Sequence, residues 1–277
     1  MDNKNDAKII SFKELEKEYK NAIKEEKEER KLNIEASYIF HKALKEKDKE
    51  KAYELASSAY EINQSKYEYM VYAISKLDDK NRRMREYKAL YEEINSLIDA
   101  FTLEDALLKI YDESEYNKKR YCDLQYNLAI SLIKCEKYQE AYELLEKLLN
   151  SKSNYRFKVK YLMLNILLIK KDYQLVIDLY NEEKDCSVLI LFPLSYAYLK
   201  LNKYKEFVGS IRLISHINPK FSDFINEKLK NINEVEMENI ISYDIASIEE
   251  IYFALKEFLF LYVNDSEYFK KVKTILD

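Results

Sequence analysis

The sequence is very poor in glycine and proline, with one glycine and two prolines in 277 residues. Average usage would give about 19 glycines and about 14 prolines. The pairs Asn-Gly, Asp-Gly and Gly-Gly, which favour tight hairpin turns, do not occur. This scarcity argues against an extensive β-sheet. Because Gly209 stands alone, it also excludes the glycine-rich loops that bind phosphate groups. We therefore expect an all-α protein.

Side chains that perform chemistry are scarce as well. The only histidines are His41 and His216, and no His-x-x-x-His or Glu-x-x-His pattern occurs. The neighbouring glutamates of the charged stretches are typical of solvated helix faces, and no nucleophile elbow is present. We predict that the protein is not an enzyme and that it holds no metal and no cofactor.

The cysteines and the apolar runs indicate neither a disulfide or zinc site nor a membrane segment. Cys122, Cys135 and Cys186 are an odd number without CxxC spacing, so we interpret them as reduced thiols rather than disulfide or zinc ligands. The first twenty residues lack the apolar core of a signal peptide. The longest apolar run, near Val188, is far shorter than the ~18–20 residues that span a bilayer. We expect a cytoplasmic protein that does not bind membranes.

The charges are nearly balanced, with 46 basic and 50 acidic residues and a net charge of −4. Nucleic-acid-binding domains usually carry an excess of basic charge, and arginine forks are favoured at phosphates, whereas 39 of the basic residues here are lysines. The abundance of Lys, Asn, Ile and Tyr fits AT-rich coding DNA, and we expect a bacterial protein. The short basic clusters 82–85 and 118–120 are interpreted as solvated helix faces, with RNA or DNA binding as the weaker alternative.

Apolar residues recur with the helical period along most of the chain. Residues 1–32 predict a charged N-terminal helix, started by the capping box Ser11-x-x-Glu14, which either ends near Lys31 or continues into the next helix. From residue 33 the pattern becomes core-facing and predicts helical hairpins to residue 219. Residues 220–277 predict C-terminal capping helices.

The hairpins repeat at a nearly fixed interval. Tyr138, Tyr173 and Tyr204 each follow a polar turn between two periodic segments, at spacings of 35 and 31 residues. A period in this range is typical of an α-solenoid.

One stretch resembles a known repeat. In Tyr126–Leu149, Asn127-Leu128-Ala129 is similar to the Asn-Leu-Gly of helix A in tetratricopeptide repeats. Lys137-Tyr138-Gln139-Glu140-Ala141 is similar to the Asp-Tyr-Asp-Glu-Ala that opens helix B. Pro219 falls where that family ends a repeat. The resemblance is best over 122–219, weaker over 33–65 and degenerate over 66–121. It implies a right-handed superhelical array of antiparallel helix hairpins.

Two departures from the family pattern carry expectations. The glycine that lets helices approach closely in helix A is replaced by Ala129, by Met163 or Leu164, and by Ser195, so the middle copy should splay. Pro193 lies within the expected last helix A and either opens that helix at its first turn or kinks it.

The resemblance implies a binding site. In such arrays helix A of each repeat lines a concave groove that binds a peptide. We call the equivalent positions here the helix A row. Asn165 matches a position at which family members often use an asparagine to bind a ligand backbone. The alternative for each tyrosine is packing against a neighbouring repeat. The helix A row comprises Tyr126, Ile130, Lys134, Lys158, Tyr161, Asn165, Ile169, Phe192, Tyr196 and Lys200.

The C-terminal helices contain a second candidate surface. Ser222 is predicted to cap a helix over 223–232, the capping box Ser247-x-x-Glu250 to start Ile251–Val263, and Asn264 to cap a last helix. The middle helix is apolar almost all round, so either the last helix covers it or it is a homodimer or partner surface. The residues concerned are Phe258, Leu259, Phe260 and Tyr262.

Charge differs between the two regions. Residues 122–219 hold 14 basic and 11 acidic residues, a net of +3, whereas 220–277 hold 7 and 12, a net of −5. The repeats should prefer an acidic segment, which could be the tail of the same chain or of a neighbouring subunit. We predict an adaptor that binds a protein or peptide. The alternative is a peptide-responsive regulatory switch without a DNA-binding domain of its own.

Overall fold

The computed structural model describes residues 12–99, 114–150, 156–182, 185–228, 240 and 242–277. The side chains of 12–19, 22, 97–99, 114–118, 156–158, 228 and 266 are outside that description. Within these ranges the chain forms fourteen α-helices and no β-strand, which confirms the all-α prediction. None of the described helices is both long and apolar enough to cross a membrane. The chain divides into two compact units, Met1–Ser114 and Glu115–Asp277.

The described residues of the first unit form four helices that pack in sequence order. They are α1 (Phe12–Lys45), α2 (Lys49–Ile62), α3 (Glu68–Ser75) and α4 (Lys80–Asp99). Three fully buried alanines, Ala43, Ala56 and Ala73, bring α1, α2 and α3 close together. The charged N-terminal helix continues without a break into the next one, so α1 has 34 residues. The predicted cap at Ser11 lies outside the described residues.

The basic cluster of the first unit is engaged within the unit. Arg82 donates from Nε to Glu86 at 2.8 Å, and its guanidinium lies 4.9 Å from the centre of the Tyr53 ring. Arg83 donates from Nε to the Leu77 carbonyl at 2.9 Å. Arg85 is exposed, as predicted for a solvated helix face, whereas Arg82 and Arg83 are half-buried and bonded within the unit.

In the second unit, the part of the chain that the structure describes forms ten α-helices and one π-helical turn. Consecutive helices between Tyr138 and Ile217 pack against one another. The helices are α5 (Ser114–Lys134), α6 (Tyr138–Asn150), α7 (Arg156–Ile169), α8 (Tyr173–Glu182), α9 (Val188–Lys200), α10 (Tyr204–Ile217), α11 (Lys220–Asp223), α12 (Ile248–Leu255), α13 (Leu259–Val263) and α14 (Ser266–Leu276), with the π-helical turn Phe224–Lys228 directly after α11.

Helix α9 is the centre of the second unit. It contacts α7, α8, α10 and α12, and nearly all its residues are buried, as expected for a helix that is apolar all round. It begins at Val188, so Pro193 lies in its second turn and does not open the helix. Because proline has no N–H, the Leu189 carbonyl lacks its usual intrahelical donor there.

Three connections of the second unit share one backbone geometry. Glu136, Lys171 and Asn202 all have positive φ, between 56° and 62°. In each case this residue donates to the carbonyl three positions earlier and the next residue to the carbonyl five positions earlier. This is the Schellman motif, which normally uses glycine. The helices that follow begin at Tyr138, Tyr173 and Tyr204, the three predicted turn tyrosines.

Residues other than glycine at these turns therefore lower the stability of the fold. Placing a glycine at such a turn, or removing the glycine from α10, should raise it. We expect Lys171→Gly to raise the free energy of unfolding by about 0.5–1 kcal/mol, because φ of 62° strains a residue with a Cβ. The converse change Gly209→Ala should also stabilise by about 0.5–1 kcal/mol, since a Cβ at this exposed position of α10 has no atom within 4 Å.

Urea unfolding followed by circular dichroism measures both changes. Glu146→Gly, at an exposed position inside α6, is the matched control and should lose about 1 kcal/mol. Equal losses for Lys171→Gly and Glu146→Gly would contradict the assignment of strain to the turn.

The C-terminal helices differ in three places from the prediction. The expected helix Ile251–Val263 is interrupted: α12 ends at Leu255 and α13 begins at Leu259. Asp265, not Asn264, caps α14 and accepts from the Glu267 N–H at 3.2 Å. The helix expected over 223–232 is replaced by α11 and the π-helical turn as far as residue 228, and 229–232 lie outside the described residues. The interruption matters because Phe258, which ends it, is fully buried.

Candidate functional site

The helix A row lies on three helices of the second unit. Its residues are spaced by three or four within each helix, which puts them on one helix face. Tyr126 and Ile130 are half-buried, and the Lys158 side chain lies outside the described residues. Helices α7 and α9, which carry the middle and last sets, contact each other. The sets are Tyr126, Ile130 and Lys134 on α5, Lys158, Tyr161, Asn165 and Ile169 on α7, and Phe192, Tyr196 and Lys200 on α9.

The helix A row is in contact with the end of the same chain. We call residues 242–277, which contain α12 to α14, the C-terminal segment. Tyr161 is 1% exposed, and its hydroxyl donates to the Phe253 carbonyl at 3.3 Å. Its ring packs edge-on against Phe258, with ring centres 6.0 Å apart. A position predicted to bind a peptide thus binds a segment of the protein itself.

Asn165 makes the most specific contact. It is fully buried, and its Nδ2 donates to the Tyr161 carbonyl one turn earlier at 2.9 Å. Its Oδ1 accepts from the Tyr262 hydroxyl at 2.7 Å. Both ends of the amide are therefore satisfied in the interior, as a buried polar group requires. The resemblance assigned ligand binding to this asparagine, and here it binds a tyrosine of the C-terminal segment.

Tyr196 extends the contact along α9. Its ring centre lies 5.5 Å from that of Tyr262 and 5.3 Å from that of Tyr268. Burial raises the pKa of its hydroxyl, and the negative charge of Asp265 adds to the shift. Together with Phe192, whose ring meets Tyr262 edge-on at 5.7 Å, Tyr196 forms an aromatic cluster around Tyr262. Offset and edge-on ring pairs of this kind add to the stability gained by burial.

Ser195 and Tyr268 were not predicted to take part. The Ser195 hydroxyl donates to the Phe192 carbonyl at 2.8 Å and lies 2.7 Å from the Tyr268 hydroxyl. Because a serine has one proton to donate, Tyr268 is the donor to Ser195. The sequence carried a partial signal, since Ser195 occupies the position where the repeat family has glycine.

Two lysines of the helix A row form ion pairs with the C-terminal segment. Lys200 Nζ lies 2.5 Å from an Asp265 oxygen, and Lys134 Nζ lies 3.6 Å from a Glu257 oxygen. The side chains of Asp265 and Glu257 are 12% and 8% exposed, so solvent screens these pairs less than surface ones. These pairs join the basic region 122–219 to the acidic tail.

Burial keeps the phenols of this contact neutral. It raises the pKa of Tyr161, Tyr262 and Tyr268 above the ordinary value near 10, because a phenolate would lose its solvation. Burial also raises the pKa of Tyr126, and the negative charge of Glu257 adds to the shift. All four hydroxyl groups therefore remain protonated, and Tyr161, Tyr262 and Tyr268 can act as hydrogen-bond donors.

The Asp265 carboxyl is the group whose ionisation should report on the contact. Burial alone would raise its pKa, but Lys200 and Tyr196 outweigh that effect and hold the pKa below its ordinary value of 3.8. A carboxyl with a depressed pKa stabilises the fold above its unfolded pKa, and the contribution is lost as pH falls through the folded pKa.

We expect Asp265→Asn to lower stability by about 1–2 kcal/mol at pH 7. The loss should shrink as the pH falls below 3.8 and through the lower folded pKa, because the wild-type carboxyl then becomes neutral as well. Asparagine retains the helix cap, so the change removes mainly the charge. Thermal unfolding of both proteins between pH 7 and about pH 2.5 measures the difference. Glu267→Gln, in an exposed pair on the same helix, is the control and should show little effect at either pH. A difference that stays constant with pH would contradict the role of the charge.

The predicted oligomer surface divides into two parts. Phe258 and Tyr262 are fully buried inside the chain, against the helix A row. Helix α14 also covers this region, since Tyr268 packs on Tyr262 at 5.6 Å. Leu259 is half-buried, and Phe260 is 44% exposed. Two of the four residues therefore face inward, and a dimer through the remaining surface stays a prediction.

A buried carboxylate fixes the start of the C-terminal segment. Ser247 accepts from the Glu250 N–H at 3.2 Å, which confirms that Ser247 caps α12. Glu250 is 3% exposed, and its Oε2 accepts from the Ala246 N–H at 3.0 Å and from Asn218 Nδ2 at 2.9 Å. Asn218 also donates to the Ser247 carbonyl at 2.8 Å. The Ser247 cap was evident from sequence, but Glu250 accepts from the Ala246 N–H where a capping box would use the Ser247 N–H. The attachment of this start to the end of α10 was not evident from sequence.

Elsewhere the described residues offer little that could perform chemistry. They contain no group of three or more His, Cys, Asp or Glu side chains suited to a metal ion. His41 lies 2.9 Å from the Ser37 carbonyl of its own helix. One open surface follows a single face of α1 and is therefore not an enclosed pocket. Its residues are Arg30, Asn33, Ile34, Ser37, Tyr38 and His41.

Comparison with known proteins adds no assignment to this geometry. No protein-family model matches the chain. No curated protein matches it at a significant level either. The similarity to tetratricopeptide repeats therefore depends on the residues quoted above, and the helix A row with its bound C-terminal segment is the candidate functional site.

Proposed function

We propose that this chain is an adaptor that binds a protein or peptide through the helix A row. The proposed architecture is a tetratricopeptide-like, right-handed superhelical array of antiparallel helix hairpins, with the row on its concave face. The three identical Schellman turns, at spacings of 35 and 31 residues, support a repeated unit.

One observation carries the proposal: the helix A row already binds a helical segment. Tyr161 and Asn165 hold that segment by hydrogen bonds, and Lys134 and Lys200 hold it by ion pairs. Aromatic area, a paired amide and two positive charges are the features that recognise a peptide. The groups that would bind a partner are thus the groups that make specific contacts within the chain.

Native mass determination of the protein purified from its own host tests the proposal, with identification of any polypeptide that co-elutes. We expect a defined polypeptide at a fixed ratio. The double variant Lys134→Glu/Lys200→Glu should lose it because the row becomes acidic. Lys137→Glu/Lys203→Glu changes two lysines at the neighbouring turns by the same charge and should retain it. Absence of a polypeptide from the wild type, or equal retention by both variants, would contradict the adaptor function.

A second candidate is a peptide-responsive regulatory protein. It is favoured by the same contact, because a ligand of the helix A row must compete with the C-terminal segment. Arrays whose units contact only their neighbours deform readily. Small-angle scattering distinguishes the two: a switch changes its radius of gyration when the identified polypeptide binds, and a rigid adaptor does not.

A further inference from the structure

The C-terminal segment resembles a bound peptide, because its helices depend on contacts with the rest of the unit. Its helices have eight, five and eleven residues, and isolated helices shorter than about 12–15 residues are marginal in water. Much of their apolar side is buried against the rest of the unit, through Phe253, Phe258 and Tyr262. The opposite side, with Phe260 at 44% and Val263 at 50%, is exposed.

The recognition pattern within the segment is compact. Phe258 and Tyr262, one helical turn apart in sequence, insert among Tyr161, Phe192 and Tyr196. The two carboxylates that pair with the row, Glu257 and Asp265, flank these aromatic residues. The aromatic pair of the segment is therefore flanked on each side by a carboxylate that pairs with a lysine of the row.

We infer that the C-terminal segment is an intramolecular ligand of the helix A row, and that the partner is an acidic helical segment with aromatic anchors that competes for the same contacts. This inference rests on the proposed function and names the chemistry of its partner. A competing segment needs an aromatic pair about one turn apart and a carboxylate on each side of it. Because the intramolecular ligand is always present, the apparent affinity for a partner is reduced by the fraction of molecules in which the row is free.

A charge-exchange experiment on the full chain tests the inference. The probe is a fluorescein-labelled synthetic peptide of residues 248–277, and its binding is followed by fluorescence anisotropy. In the full-chain variant Glu257→Lys/Asp265→Lys, the segment is repelled and the basic row becomes free. We expect the peptide to bind this variant at least tenfold more tightly than the wild type. Glu249→Lys/Glu267→Lys changes two exposed glutamates of the segment and should behave as the wild type.

A second peptide carrying Glu257→Lys and Asp265→Lys makes the test specific. It should bind the Lys134→Glu/Lys200→Glu chain and reject the variant whose row is still basic. The chain with all four changes has its charges complementary again, so it should close and bind both peptides weakly. Circular dichroism of this fourfold variant checks that the exchanged charges are compatible with the folded helices.

The results separate the inference from the proposed function. Equal binding of the first peptide to all chains, or no binding to any, would overturn the inference that the segment is a charge-selected ligand. If the peptides fail but the co-eluting polypeptide is still lost in Lys134→Glu/Lys200→Glu, the adaptor function stands and its partner has different chemistry. If each peptide binds only the chain whose row carries the opposite charge, and no polypeptide co-elutes, the row binds only the C-terminal segment of its own chain.

Discussion

Replacing Phe258 by alanine is expected to lower the free energy of unfolding of the second unit by about 3–5 kcal/mol. Phe258 is fully buried and packs edge-on against Tyr161, so truncation removes a ring from the centre of the contact. The loss includes both the buried apolar area and the cavity left behind. Urea unfolding monitored by circular dichroism measures it, since the chain has no tryptophan to report by fluorescence.

Phe260→Ala is the matched control, two residues along the same segment. Phe260 is 44% exposed, and its truncation should cost less than about 1 kcal/mol. The comparison also addresses the predicted oligomer surface. If Phe260→Ala were the more destabilising change, with the loss depending on protein concentration, the apolar segment would serve mainly as a subunit interface.

The second large effect is expected at the pair Asn165 and Tyr262. Tyr262→Phe leaves the buried Oδ1 of Asn165 without its donor, and Asn165→Leu leaves the Tyr262 hydroxyl without its acceptor. Each single change should cost about 1–3 kcal/mol, because a buried polar group without a partner pays its full desolvation. The double variant replaces both groups by apolar ones of similar shape. It should be more stable than the sum of the single losses predicts, by about 1–3 kcal/mol.

Urea unfolding of the four proteins gives this coupling energy directly. Tyr204→Phe, at a tyrosine that is 50% exposed, controls for loss of a hydroxyl alone and should change stability by less than about 0.5 kcal/mol. Strict additivity of Tyr262→Phe and Asn165→Leu would show that the hydrogen bond does not stabilise the contact.

Local patterns predicted the helices and several of their ends. Periodicity and capping residues are properties of a few neighbouring residues, so the starts of helices at Tyr138, Tyr173 and Tyr204 and the cap at Ser247 could be recognised. The break after Leu255 could not be recognised, because a continuous apolar stretch favours a continuous helix. The burial of Phe258 at this break depends on contacts with residues far away in the sequence.

The candidate site was predicted only in part. The helical spacing placed Tyr161 and Asn165 on one helix face. In the structure Tyr161 donates to the Phe253 carbonyl, and Asn165 accepts from the Tyr262 hydroxyl. The identity of what they bind depends on pairings between residues more than 90 positions apart, which no local pattern contains. The opposite net charges of 122–219 and 220–277 were a signal of this contact, and the pairs Lys200–Asp265 and Lys134–Glu257 are its structural basis.

The distance along the chain between Asn165 and Tyr262 has a consequence for synthesis. Ninety-seven residues separate the two partners of this hydrogen bond. At a translation rate of about 5–20 residues per second, Asn165 is made about 5–20 s before Tyr262 is. During that interval the aromatic and basic side chains of the helix A row are without the segment that later covers them. Each newly made molecule therefore passes through a period in which the helix A row is uncovered, and this period ends once the C-terminal segment has been made.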